Sequence, residues 1–201
     1  MKTAILGVLI VLCFGFGQNQ NDTPTKSDFD CVLTASKQIY SLEEVPEFQV
    51  SIVNNSGKDV YLIGSLDGSD VKFRMPFCYF TLEKPKIDSI RDFGRCGMVD
   101  FLSEKDFIFV PSGKSFNPFH NTNGSRFWYP YEIGRPEHFR NLGVYRITFH
   151  YTSNSSELED FLGTPFFGAG EKTPLRKLRK LFKKTPKIEL QSNTVEIEIV
   201  E

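Results

Sequence analysis

From Asp30 to Phe119 the spacing of apolar and polar residues gives mainly strand signals, in short runs broken by turn residues. CVLTASK, beginning at Cys31, predicts a first strand, and FQVSIVNN sets Phe48, Val50 and Ile52 against Gln49 and Ser51. The cluster NNSGKD predicts a turn before the strand DVYLIG, and LDGSD predicts another before VKFRM and CYFTLEK. IDSIRDFGRCGMVDFLSE is less regular, and after it come DFIFV, the turn PSGK and SFNPF. Alternation returns in GVYRITFHYTS, where Tyr145, Ile147, Phe149 and Tyr151 share one face and Arg146, Thr148 and His150 the other. The final run, NTVEIEIV, turns Val195, Ile197 and Ile199 inward against Glu196 and Glu198. Short strands with frequent turns predict an all-β antiparallel sandwich and argue against alternating strands and helices.

Two segments interrupt this pattern. Residues 120–142 hold the only Trp, Trp128, and a short helical candidate, PEHFRNL, opened by Pro136. A connection of this length is either functional or packed on itself. Phe127, Trp128, Tyr129 and Tyr131 are the candidate binding loop, able to stack on a sugar or anchor a protein partner. Folded back, the same rings would instead plug the open end of the sandwich.

The second interruption is TPLRKLRKLFKKTPK, residues 173–187. At about 100° per residue, Leu175, Leu178, Leu181 and Phe182 fall on one side of a helix over about 173–184. Arg176, Lys177, Arg179, Lys180, Lys183 and Lys184 fill the other side. Thr173 is the expected N-cap, Pro174 the expected first helical residue, and the Pro186 step the stop. So short a helix would not persist alone in water. It is expected between the last two strands, with its Leu and Phe side laid on the sandwich.

The ends and the charge sharpen this picture. Lys2, an apolar run from Ala4 to Phe16 and the small residues Gly15 and Gly17 have the layout of a secretory signal peptide over residues 1–17. The run is too short to span a membrane comfortably, and Leu12 before Cys13 is a poor context for lipidation. Residues 18–28 predict a disordered leader, and 29–201 a single domain with enough chain for a core. The FGQ ending resembles bacterial signals, which implies an exported chain: periplasmic, at the cell surface or secreted. Of 24 basic residues, removing Lys2 leaves 23 against 25 acidic; eight of them lie within 172–187, so the rest of the mature chain carries 15 against 25, a net of −10. The helix therefore has an acidic body to lie on. Its outward face is the candidate contact for an anionic envelope surface. No module that reads bases accompanies it, so nucleic acid is not expected.

The chemistry of catalysis is hard to place. His120, His138 and His150 lack the HExxH or close His–His spacing of a zinc site, though His120 and His138 could meet in space with Glu137. There is no G-x-S-x-G elbow and no phosphate-cradling loop with Walker spacing, so neither catalytic residues nor a cofactor is expected. Cys96, between Arg95 and Gly97, is the nearest thing to a reactive thiol. Cys31 alternates with Leu33 and Ala35 and predicts a small buried hydrophobe. Cys78 and Cys96 are the candidate disulfide, with buried thiols as the alternative. Twenty Phe in a chain that is 14% aromatic suit sheet-on-sheet packing.

Several stretches resemble one family. SLEEVPEFQVSIVNNSGKDVYL, FVPSGKSF, LGVYRITFHYTS and SNTVEIEI, in that order, are similar to bacterial exported immunoglobulin-like domains. NLGVYRI also resembles the tyrosine corner of Greek-key sandwiches, with Tyr145 as its tyrosine. The resemblance implies an immunoglobulin-like Greek-key sandwich without assigned activity, serving as a binding or structural envelope module for a protein or glycan. Similar sandwiches occur among proteinase inhibitors, which would make 127–136 a loop offered to a protease.

Overall fold

The computed structural model describes residues 27–64, 75–85, 87–91, 101–119, 133, 136–163 and 173–201 of the chain. The expected signal peptide, Cys13, the strand VKFRM up to Arg74, Cys96, His120 and the aromatic residues Phe127, Trp128, Tyr129 and Tyr131 lie outside the described residues. What is described is mostly β, in several sheets, with one short α-helix.

The strands are β1 (Phe29–Ala35), β2 (Ile39–Ser41), β3 (Phe48–Asn54), β4 (Val60–Ile63), β5 (Phe77–Lys84), β6 (Ile87–Arg91), β7 (Phe107–Val110), β8 (Ser115–Phe116), β9 (Gly143–Thr152), β10 (Glu189–Gln191) and β11 (Val195–Val200); the helix α1 is Leu175–Phe182. One sheet runs β1-β3-β8, and the other runs β2-β11-β9-β5-β6, with β10 also paired to β9. β4 and β7 form a separate ribbon. All these pairings are antiparallel except β2 on β11, which is parallel. Three elements differ from the sequence expectation. Residues 87–91 form a strand within the stretch that looked irregular, and Ile39–Ser41 add a short edge strand. Only Pro136–Phe139 of PEHFRNL turn, as a single 3-10 turn. The fold also starts slightly early: the Asp28 carbonyl accepts the Asn55 N–H at 2.8 Å, so the leader does not extend through 28.

Alternation places one apolar face of each sheet in a common core. Leu33, Phe48, Val50, Ile52 and Phe116 from one sheet meet Phe80, Leu82, Tyr145, Ile147, Phe149, Tyr151, Ile197 and Ile199 from the other. Phe116 and Tyr151 face each other edge-on at 6.5 Å across that core. Phe119 joins it just after β8, and Ile133 and Phe139 from the irregular segment.

Buried polar groups set the chain path, because each must find a partner. Asn54, fully buried at the end of β3, donates to the carbonyls of Lys58 and Val110 and accepts from Ser56. Its backbone N–H and carbonyl bond Lys114 and Gly113, so one residue binds two turns together. Tyr145 is fully buried; its hydroxyl donates to the Asn141 carbonyl at 2.8 Å and accepts the Asn141 N–H at 3.0 Å. Two residues earlier Gly143 sits at φ +123°, where a Cβ would also lie 3.0 Å from the Pro85 ring. Between β10 and β11 the ladder breaks. There the Ser192 hydroxyl accepts the Phe149 N–H, and the Asn193 amide bonds both the N–H and the carbonyl of Leu33 on β1. The edge strand β2 is closed by Glu44, which accepts the Ser41 N–H at 2.8 Å and pairs with Lys37. Those bonds, the one from Lys37 first, hold the Glu44 carboxyl below the ordinary carboxylate range.

The Tyr151 hydroxyl donates to the Ile63 carbonyl at 2.8 Å, joining β9 to β4 in the interior. Replacing Tyr151 with Phe strands that carbonyl and is expected to cost about 1–3 kcal/mol. A urea midpoint equal to wild type would remove this bond from the determinants of the fold.

Burial also shapes the response to alkali. It pushes the half-buried Cys31 thiol up to about 12, and lifts the Tyr145 and Tyr151 hydroxyls above the ordinary phenol range. In each the folded pKa exceeds the unfolded one, so the folded state keeps its proton longer. That stability is complete below about pH 9 and drains away as pH rises through the folded values. Cys31→Ala is expected to flatten the loss of stability between about pH 9 and 12, read from denaturant midpoints across that range. An unchanged slope would show that the thiol is not linked to folding.

Candidate functional site

The helix is built around a ribbon that needs a cover. Cross-strand pairs in β4–β7 are Val60 with Val110, Tyr61 with Phe109, Leu62 with Ile108 and Ile63 with Phe107. Val60, Leu62 and Val110 point to the main core, whereas Ile63 and Phe107 point the other way. On that second face they meet Leu102, Leu158, Phe161 and the helix residue Leu178. Backbone bonds from Leu102 to the Leu162 carbonyl and from Met75 to the Asp160 carbonyl draw the surrounding turns together.

Leu178 is 2% exposed, Leu181 and Phe182 are half-buried, and the Phe182 ring meets Phe161 edge-on at 4.9 Å. Leu175 departs from the expected buried stripe, since it is 47% exposed at the first turn. The capping also differs from expectation. Pro174 occupies the N-cap, and its carbonyl accepts the N–H groups of Lys177 and Leu178. The Thr173 hydroxyl faces away from the helix and accepts the Glu104 N–H at 3.1 Å. It ties the helix start to a neighbouring turn instead of capping it. At the far end the Lys184 carbonyl accepts the Tyr61 N–H, so the chain leaving the helix is pinned to β4.

The six helix cations named from the sequence fall into two groups. Lys177 pairs with Glu104, Arg179 lies 3.9 Å from Glu159, and the Lys184 ammonium sits 5.6 Å over the Tyr61 ring. Arg176, Lys180 and Lys183 are exposed and form no ion pair with any described residue. Their i, i+4, i+7 spacing sets them on one stripe, on the side of the helix away from Leu178. The flanking pairs are exposed, worth at most about 1 kcal/mol each. Their effect is to neutralise the two edges of the helix and leave the crest positive.

The other candidate residues are dispersed. Cys78 is buried in the main core, and its proposed partner Cys96 lies outside the described residues. Cys31, expected to be buried, is half-buried against the core. His138 is half-buried on the 136–139 turn, beside an exposed Glu137. His150, on the polar face of β9, is half-buried: its ring stacks on Tyr79 at 4.5 Å and its Nε2 lies 3.2 Å from the Thr81 hydroxyl. Among the described residues no group of three or more His, Cys, Asp or Glu could hold a metal ion, and no helix is long and apolar enough to cross a membrane. Glu104, Glu159 and the ribbon were not singled out from the sequence. The signal for the ribbon was present, because VYLI and FIFV are continuous apolar runs, the mark of strands covered on both sides.

No protein-family model, curated protein or solved structure matches the chain.

Leu178 is the residue that docks the helix. Leu178→Ala is expected to cost about 2–5 kcal/mol as a buried truncation, whereas Leu175→Ala should stay within about 0.5 kcal/mol. Equal losses in thermal or urea unfolding would mean that the helix is not seated through Leu178.

Proposed function

We propose that the protein is an exported, non-catalytic immunoglobulin-like module that binds a protein or glycan or serves a structural role in the envelope. The observation that carries this reading is the path of the chain. β3 and β8 are neighbours in one sheet; β8 is followed by β9 and, after β4, β3 by β5, and β5 and β9 are neighbours in the other sheet, which supports a Greek-key reading. β2 leaves the β1 side to pair in parallel with the last strand, β11. The Tyr145 hydroxyl closes on Asn141 at the start of β9, the geometry of a tyrosine corner.

The use of buried polar groups supports a structural role for them. Asn54, Tyr145, Tyr151 and Ser192 bond to nearby backbone, and their hydrogen bonds hold turns and strands in place. Ile133, within the 127–136 stretch, is buried in the main core, which at that position weighs against presentation to a protease.

Fractionation of bacteria producing the full chain, with mass analysis of the product, tests the export half of this reading. The expected product lies outside the cytoplasm and begins at Gln18. A cytoplasmic product of full mass would overturn it.

A further inference from the structure

We propose that the crest of α1 is a docking surface for an anionic phospholipid bilayer, with Arg176, Lys180 and Lys183 meeting the headgroups. The helix cannot act by inserting its apolar side, because Leu178 is already buried against Ile63, Phe107 and Phe161. It meets a surface with its opposite side, which carries the stripe of cations, and with Leu175, which the docked apolar side leaves exposed at the first turn.

Three observations converge on the partner. The rest of the mature chain is net −10, so the molecule as a whole is drawn to an anionic surface in one orientation only, helix first. Lys177 and Arg179 at the helix edges are matched by Glu104 and Glu159, which leaves most of the uncompensated charge on the crest. Exposed apolar side chains adjoin both ends of the helix. Leu175, 47% exposed, begins it, and Phe109, 52% exposed, holds its ring tilted 5.4 Å from that of Tyr61, over which the Lys184 ammonium sits. A hydrophilic polyanion would gain nothing from Leu175 and Phe109, whereas a bilayer interface takes up both charge and apolar groups. The surface needs only the docked helix, so it stands whether or not the chain is exported.

Sedimentation of the full chain with vesicles tests the proposal, comparing phosphatidylcholine alone with phosphatidylcholine plus phosphatidylglycerol. Binding is expected on the mixed vesicles, above any shared background on neutral ones, and molar salt should abolish it. Each basic residue near an anionic bilayer contributes about fivefold, so R176Q/K180Q/K183Q should bind roughly 100-fold more weakly. K58Q/K114Q/R140Q, which removes the same charge from other exposed positions, should stay within about threefold of wild type. L175S/F109S should weaken binding further at constant charge. Overlaid thermal melts establish that the variants are folded.

Binding by the stripe variant equal to wild type would overturn the proposal, as would equal losses in both triple variants or binding that survives molar salt. Tight heparin binding by the wild type, with L175S/F109S indifferent on vesicles, would replace the bilayer with a soluble polyanion.

Discussion

A two-stranded ribbon that is apolar on both faces cannot stand at a protein surface, and β4 and β7 make such a ribbon. Their side chains point alternately into the main core and away from it, and both sets are large and apolar. Leaving Ile63 and Phe107 uncovered would expose two side chains worth about 1.5–3 kcal/mol each when buried. The helix, with the turns around Leu102 and Leu158, supplies the second cover. Burial in turn sustains the helix, whose eight residues are too few to be stable alone.

The ribbon is bound to the rest of the molecule by buried polar groups. Tyr151 reaches the Ile63 carbonyl from β9, and Asn54 reaches the Val110 carbonyl from β3. Each bond runs from a different sheet to a different strand of the ribbon. Apolar packing alone would tolerate sliding, since it is nondirectional. A buried carbonyl satisfied by one hydroxyl or one amide does not, because a shift leaves both groups unpaired at a cost of about 1–3 kcal/mol.

Much of this architecture was legible as alternation, and the places that were not have physical reasons. The inward sets of β3, β9 and β11 follow from period two. The stretches that carried the family resemblance turn out to hold particular constraints. NNS is the Asn54 network, PSG contains the positive φ of Gly113, LGVY joins Gly143 to the Tyr145–Asn141 bond, and SN is the Ser192–Asn193 break. β2 escaped notice because three residues carry no periodicity, and its pairing with β11 is set entirely by tertiary contacts. The helix was legible, but its cap was not. A threonine before a proline reads as an N-cap, yet Thr173 is taken by the Glu104 N–H 69 residues away, a contact no local rule can supply. Both strands of the ribbon were expected, as DVYLIG and DFIFV, but the cover on their second face was not, because a strand covered on both sides alternates in nothing.

That last point also explains where the charge lies. A helix recruited only to cover a ribbon needs one apolar side and is indifferent to the chemistry of the other. A mixed or neutral outer face would serve the fold equally well, and Glu on it would have added i, i+4 pairs with Lys or Arg. Instead the segment from 172 to 187 holds eight cations and no acid, so like charges repel along the helix and every neutralising group comes from another element. Folding requires the Leu and Phe side; it does not account for the crest. The uncompensated stripe is therefore the feature of this surface that stability leaves unexplained, and the one for which an external anionic partner supplies a physical reason.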